Sequence, residues 1–355
     1  MRKNLLALAA CAAGGAIASI AHLPLPWMIG PLLAMAGCRF AGQDIRAPAF
    51  ARPAGQVIIG TALGLYFTPQ VVRQVIDYAP VMAAAGMFAM LTGYLSSLIL
   101  ARGAGIDGTT AFFASVPGGA AEMSVLAERF GAKVDQVAAG QSVRIALVVI
   151  VFPAVFLYGG LAGVDAYEQT QKLVEPLGLL GLLAAGTAGG LLLRMVNVPN
   201  GFTIGALIAS IALTIEGANW SAMPPVLSNA GQLLIGCALG SRFEQDFLER
   251  APRFLAALFA SIFAAMLISV MFGLGLAGLL HGAWPTLVLA TAPGGIAEMA
   301  ITAKVLRLGV PIVTAFHVTR MIMLVTLTAP AFGIARAIAN RRDDKPTRQR
   351  DGEHR

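Results

Sequence analysis

The sequence predicts an all-α polytopic membrane protein made of two inverted repeats, each of about five transmembrane helices plus a broken or re-entrant segment. Three observations carry this reading. The composition is 57% hydrophobic and 12% charged, with a mean hydropathy of +0.76; soluble domains carry about 25% charged residues, so lipid is the solvent that suits this chain. Its 355 residues leave room for roughly ten apolar segments of about 20 residues. The sequence also repeats itself. Pro24–Gly30 (PLPWMIG) matches Pro199–Gly205 (PNGFTIG) at an offset of 175, and Gly55–Gly64 (GQVIIGTALG) matches Gly231–Gly240 (GQLLIGCALG) at 176. The motif Pro117-Gly118-Gly119-Ala120-Ala121-Glu122-Met123 returns at 176 as Pro293-Gly294-Gly295-Ile296-Ala297-Glu298-Met299, and Arg144 and Arg320 follow at the same offset. Such a period defines the organisation before any element is assigned: membrane repeat 1 at 1–165, membrane repeat 2 at 175–340, and a charged, disordered cytoplasmic tail at 341–355.

Taken in order, the apolar runs predict helices near 5–21, 25–40, 55–72, 80–101 and 137–160 in the first half, and near 177–194, 201–217, 227–242, 254–280 and 312–337 in the second. The first run resembles a signal peptide, but Ala13-Gly14-Gly15 has a counterpart at Ala188-Gly189-Gly190, which makes it the first helix of a repeat. Gly60xxxGly64 and Gly236xxxGly240 carry the small-residue spacing of close helix contacts. Between the long runs lie the PGG segments, near 108–130 and 285–307. Each of their arms has eight to eleven residues, roughly 12–16 Å of helix, about half of a ~30 Å hydrocarbon core. Length does not decide between one broken crossing and a re-entrant hairpin.

Charge placement favours the hairpin. With a cytoplasmic N-terminus and re-entrant PGG segments, the great majority of the 25 Lys and Arg fall on the cytoplasmic side. Only Arg73, Lys172, Lys304 and Arg307 lie outside, and Arg144 and Arg320 lie within helices. This satisfies the positive-inside rule. Five crossings per half is an odd number, so the halves are inverted, an arrangement common in secondary transporters. The expected location is the inner membrane of a bacterium, multi-pass, with both termini cytoplasmic.

The candidate site is the duplicated break. Proline lacks an N–H and glycine tolerates unusual backbone angles, and irregular backbone at membrane depth is tolerated only where protein buries it or where it lines a cavity. Pro117, Gly118, Gly119, Pro293, Gly294 and Gly295 form the breaks. Glu122 and Glu298 fall in the first turn of the following half-helix, whose partial positive charge favours a carboxylate or an anionic ligand. Intramembrane charges are costly and usually functional, so Arg144 and Arg320 each need a partner, for which Glu122 or Glu298 is the candidate. Gln141 and His317 precede the arginines by three residues, on the same helix face. The competing reading is structural: carboxylates closing their own half-helices, and arginines in salt bridges or reaching the interface. Gln56 and Gln232, beside the Gly-rich spacing, read first as packing residues and second as ligand contacts.

The blocks LPLPWMIGPLL, GQVIIGTALG, SVPGGAAEM, GQLLIGCALG and TAPGGIAEM resemble the AbrB-duplication family of bacterial integral membrane proteins over nearly the whole chain. Family members are labelled ammonia monooxygenases or AbrB family regulators, and the family resembles the cation/proton antiporter and anion transporter superfamily. That resemblance implies a transporter fold. The labels fit the residues less well. His22, His281, His317 and His354 are scattered and the three cysteines form no CxxC pair, so no metal or other cofactor is expected and an oxygenase is the least favoured reading. A DNA-binding regulator needs a soluble basic reading head, and the basic residues here are spread over loops. The expected function is therefore not enzymatic: secondary transport of a small anionic solute coupled to a cation or proton, with a membrane-embedded sensor acting indirectly on gene expression as the alternative. The expected partners are membrane lipid and a small-molecule or ion substrate, with no direct nucleic acid, and a second copy of the chain as a further candidate.

Overall fold

A computed structural model of the chain describes residues 2–161, 163, 167, 173–218, 220–243 and 252–343; for Arg2 and residues 335–343 it describes the backbone alone. All regular structure among these residues is helical. The first half contains α1 (Arg2–Ile20), α2 (Pro26–Phe40), α3 (Ala51–Gly64), α4 (Pro69–Asp77), α5 (Ala79–Ala104), α6 (Gly108–Ser115), α7 (Ala120–Arg129) and α8 (Val134–Tyr158). The second contains α9 (Pro176–Met195), α10 (Gly201–Ile215), α11 (Pro225–Gly240), α12 (Pro252–Leu280), α13 (Trp284–Thr291), α14 (Ile296–Val305) and α15 (Val310–Asp343). The bounds of α6 and α7 recur in α13 and α14 at an offset of 176, and those of α2 recur in α10 at 175. The tail expected at 341–355 lies outside the described residues beyond Asp343.

Among the described residues, six helices are long and apolar enough to cross a membrane: α1, α5, α8, α9, α12 and α15. The helices α2, α3, α10 and α11 have 15, 14, 15 and 16 residues, or roughly 21–24 Å, short of a ~30 Å core. The ten expected crossings thus appear as six full-length helices and four short ones. The short ones pack on one another, α3 against α10 and α11, and α2 against α11. The single helix expected over 55–72 is also corrected. It ends at Gly64, and Thr68 caps a separate α4, its hydroxyl accepting from Val71 N at 3.4 Å ahead of Pro69. Proline supplies no N–H to a preceding turn, so it starts a helix where it would break one.

Glycine contacts fix how the halves meet. Gly60 and Gly64 of α3 face Thr203, Ala206, Leu207 and Ser210 of α10; their repeat counterparts Gly236 and Gly240 of α11 face Met28, Pro31, Leu32 and Met35 of α2. Each half therefore inserts its third helix against the second helix of the other half. At the centre Gly55 meets Gly231 and Ile235, while Gly231 meets Ile58 and Ile59. Residue numbers rise along α3 as they fall along α11, so these equivalent helices run in opposite directions. That is the signature of repeats related by a two-fold axis in the membrane plane, as the parity argument required.

Contacts also gather basic residues at one end. Asp44 accepts from Lys3 at 2.5 Å and lies 3.7–3.8 Å from Arg46 and Arg39, and Arg39 in turn donates to Phe243 O. The Lys3 ammonium, with Arg46 and Arg39 adding to it, holds the Asp44 carboxyl below the usual carboxylate range.

Candidate functional site

Each PGG segment folds as a helical hairpin. At the base of the first, Lys133 N donates to Thr110 Oγ1 at 2.9 Å; at the base of the second, Gly309 N donates to Thr286 Oγ1 at 3.2 Å. Phe113 of α6 also stacks on Phe130, just past α7, with ring centroids 5.7 Å apart. The two arms of a hairpin thus return to the same end. The entering arm is nucleated in two ways. Asp107 caps α6 by accepting from Thr110 N at 2.8 Å, whereas α13 has Ala283 at that position and Pro285 in its first turn.

At each tip the chain turns tightly about the proline. Gly118 N bonds back to Val116 O at 2.7 Å, and Gly294 N to Ala292 O at 2.9 Å, the two-residue spacing of a γ-turn. None of the PGG glycines lies at positive φ, so the freedom of angle expected of them is not what the tip uses. It uses their lack of a side chain. Gly119 and Gly295 have φ of −70° and −85°, and a Cβ on either would collide with the carboxylate of Glu122 or Glu298. Each acid folds back over the glycine that begins its own half-helix, where the helix dipole favours it.

The arginines bind backbone, not carboxylate. Arg144 donates from Nη1 to Val116 O at 2.9 Å and from Nη2 to Gly118 O at 3.1 Å. Arg320 donates in the same way to Ala292 O and Gly294 O. Gln141 Nε2 reaches Phe113 O and Val116 O, both at 2.8 Å, and His317 Nε2 contacts Leu289 O at 3.1 Å. The expected pairing with Glu122 or Glu298 is therefore corrected. A helix broken in hydrocarbon exposes the carbonyls of its last turn, and these are the acceptors nearest to hand. The guanidinium fork suits two carbonyls two residues apart and complements the negative helix end. The arrangement leaves other donors unused: Arg144 Nε, Arg320 Nε and His317 Nδ1 are buried without a partner, as is Glu122 Oε2.

The two tips share one cavity of about 60 Å³, enough for a few waters or a small ion. Pro117, Gly118, Gly119 and Arg144 line it from the first repeat, and Gly294, Gly295, Glu298, His317 and Arg320 from the second. Pro293 adjoins that lining in sequence; Gln141 and Glu122 are not part of it, Gln141 being spent on the α6 carbonyls. The cavity also has a wall of which the sequence reading offered only Gln56, as a ligand contact in second place: Arg52 and Gln56 of α3, Asn200 and Thr203 of the α10 start, and Arg242 beyond α11. Asn200 Oδ1 accepts from Arg52 Nη2 at 3.1 Å and from Gln56 Nε2 at 3.0 Å. Arg242 lies within electrostatic reach of Arg52, Glu298 and Glu122, and its Nη1 has no partner. One signal for this wall was present in the sequence: apart from Gln56, which matches Gln232, its residues are where the repeats disagree. Arg52, Asn200 and Arg242 correspond to Ser228, Leu25 and Tyr66. Among the described residues no group of His, Cys, Asp and Glu is arranged to hold a metal.

These features define a helical membrane protein of inverted repeats in which two helical hairpins meet at a polar cavity. The chain belongs to the AbrB family: the family model described as transition state regulatory protein AbrB matches residues 5–336. Among curated proteins it is similar to "Putative regulator AbrB" of Escherichia coli (strain K12), at 29% identity over 90% of this chain and 91% of that protein. It is also similar to "Uncharacterized protein YhjN" of Bacillus subtilis (strain 168), at 26% identity over 97% and 96%.

Proposed function

We propose that this protein is a secondary transporter of a small anionic solute, coupled to a cation or proton, in the bacterial inner membrane with both termini cytoplasmic. It is not an enzyme and uses no cofactor. The observation that carries the reading is the cavity between the hairpin tips. Two buried arginines, Arg144 and Arg320, line it, two half-helices begin beside it, and Glu298 lines it as well. Half-helix N-termini and buried cations favour a negative solute, and the carboxylate supplies a place for the coupling ion. Inverted halves packed third helix to second allow the two to rock about the fixed site.

The experiment is uptake into vesicles containing the purified protein, with small anions supplied under an imposed proton or sodium gradient. Gradient-driven accumulation of at least one anion is expected. An anion that binds but is not moved under either gradient contradicts transport.

A second reading, a membrane-embedded sensor acting indirectly on gene expression, is favoured by the regulator named among the relatives. It places the ligand at the same cavity and a cytoplasmic partner at residues 341–355 or at the loop 242–253, the tail being the one tested first. Removing residues 341–355 would abolish signalling under this reading and leave transport intact under the first.

A further inference from the structure

The arms that leave the two hairpin tips, α7 and α14, match on one face and differ on the other. On the shared face Ala120, Met123 and Ala127 are buried, as are their counterparts Ile296, Met299 and Ala303. On the other face the pairs separate. Val125 is 65% exposed, and its counterpart Ile301 is 2% exposed. Ala121 and Glu128 are exposed, whereas Ala297 is buried and Lys304 half-buried. The cover over α14 comes from outside its hairpin. It packs on α3, and Lys304 Nζ in its last turn donates to Ser228 Oγ of α11 at 3.4 Å. The neighbours of α7 are instead α6 and α8, helices of its own repeat.

The two-fold relation gives each of these contacts a counterpart. For α14 on α3 it is α7 on α11, and for Lys304 on Ser228 it is Glu128 on Arg52. The second pair joins opposite charges, and the two residues form no ion pair in the described structure. Arg52 gives one Nη to Asn200 and has further donors to offer. The uncovered face of α7 lies on the α11 side: Glu122, at the start of α7, is within electrostatic reach of Arg242 just past α11. A face that carries Glu128 is also a poor one to turn to lipid.

Resting on the transporter reading, we propose that the structure is the state open at the base of the first hairpin, the cytoplasmic end on that reading, and that Glu128 and Arg52 are the latch that shuts this end when the other opens. In the second state α7 lies on α11, Val125 is buried, Glu128 pairs with Arg52, and Lys304 has left Ser228. The two arms thus exchange environments, as alternating access between inverted repeats requires. An ion pair near the surface stabilises only weakly, which suits a latch that must open in every cycle. Residues 244–250, which follow Arg242, lie outside the described residues, and labelling of Val125→Cys reads directly whether anything covers this face.

The test uses the full-length protein in membrane vesicles with the cytoplasmic face outward, Cys11, Cys38 and Cys237 being replaced by alanine. A membrane-impermeant maleimide should label Val125→Cys about ten times faster than Ile301→Cys, or more. Oxidative cross-linking is then applied to two pairs. Lys304→Cys/Ser228→Cys should link and leave α7 faster than α14 in amide hydrogen exchange. Glu128→Cys/Arg52→Cys should also link and should invert that order, because its link traps the second state. The proposal is overturned if Val125→Cys is protected, if Ile301→Cys labels as fast, if the Glu128/Arg52 pair does not link under conditions that link the other, or if its link leaves the exchange order unchanged. The labelling comparison stands as a test even if a cross-linking pair does not fold. Inversion of the order in a protein that moves no anion would support the latch and count against transport alone. Undiminished flux in the protein linked through Glu128→Cys/Arg52→Cys would support transport and overturn the latch.

Discussion

At the first hairpin, Arg144 holds Val116 O and Gly118 O while Gln141 holds Phe113 O; at the second, Arg320 holds Ala292 O and Gly294 O while His317 holds Leu289 O. Every acceptor in one set is the 176-residue counterpart of an acceptor in the other. The cavity wall behaves oppositely: Arg52, Asn200 and Arg242 face the cavity on one side, and their counterparts are serine, leucine and tyrosine. The halves agree where a broken backbone must be satisfied and diverge where a solute would be met. Symmetry here marks a requirement of folding in lipid. Its loss, on the proposed reading, marks the part of the site that would meet the solute from one side.

The largest expected effect tests the symmetric part. Arg144→Ala and Arg320→Ala each strip charge-assisted bonds from two buried carbonyls, and each should cost about 3–5 kcal/mol, read as a lowered melting midpoint in detergent. Lysine should recover only part of this, since one ammonium cannot fork to two acceptors. A marked inequality between the two sites would break the comparison. Next come the glycines at the helix crossings. A Cβ on Gly30 would lie 2.8 Å from Gly15 Cα, and one on Gly205 would lie 2.5 Å from Gly190 N. Neither backbone can move aside, so Gly30→Ala and Gly205→Ala should each cost about 1–3 kcal/mol. Gly37→Ala, with nothing within 4 Å, should be neutral or slightly stabilising.

Smaller effects sharpen the comparison at the hairpin bases. Asp107→Ala removes the cap that α6 has and α13 lacks and should cost about 1 kcal/mol. Burial raises the Asp107 carboxyl, but the Thr110 hydrogen bonds, its own backbone N–H and the Lys133 charge together hold it below its ordinary value. Its contribution is therefore complete above the unfolded carboxylate value, about pH 4, and is lost as pH falls through the lower folded value. The wild-type advantage over the Ala variant in a melting series should shrink in acid, in that direction only. Smallest of all is the exchange His317→Gln, which should change stability by less than about 1 kcal/mol because Gln141 already does the same work in the other half. A larger loss of transport than of stability would assign the His317 ring a role in proton coupling.

How much of this was legible in the sequence follows from the same contrast. The repeat, the breaks, both acids, both arginines and the Gln141/His317 pair could be read because they recur as side chains. The arginines' partners could not, because the acceptors are carbonyls that exist only once Pro117 and Pro293 break their helices. The ends of each hairpin meet through Thr110 and Thr286, a detail that arm length does not encode. The wall of Arg52, Asn200 and Arg242 escaped notice because matching the repeats draws attention to what is shared. The Thr68-Pro69 break was visible, but it lay within an apolar run whose hydropathy reads straight through it.

The central claim is that the hairpin tips form the solute site, with Glu298 lining it and Glu122 folded back beside it, and uptake into vesicles tests it most directly. Gradient-driven flux of the best-bound anion should be compared between the wild type and the Glu122→Gln/Glu298→Gln double variant, both reconstituted at equal folded amounts. Flux in the double variant should fall by about ten-fold or more. Full flux in the double variant would contradict the claim.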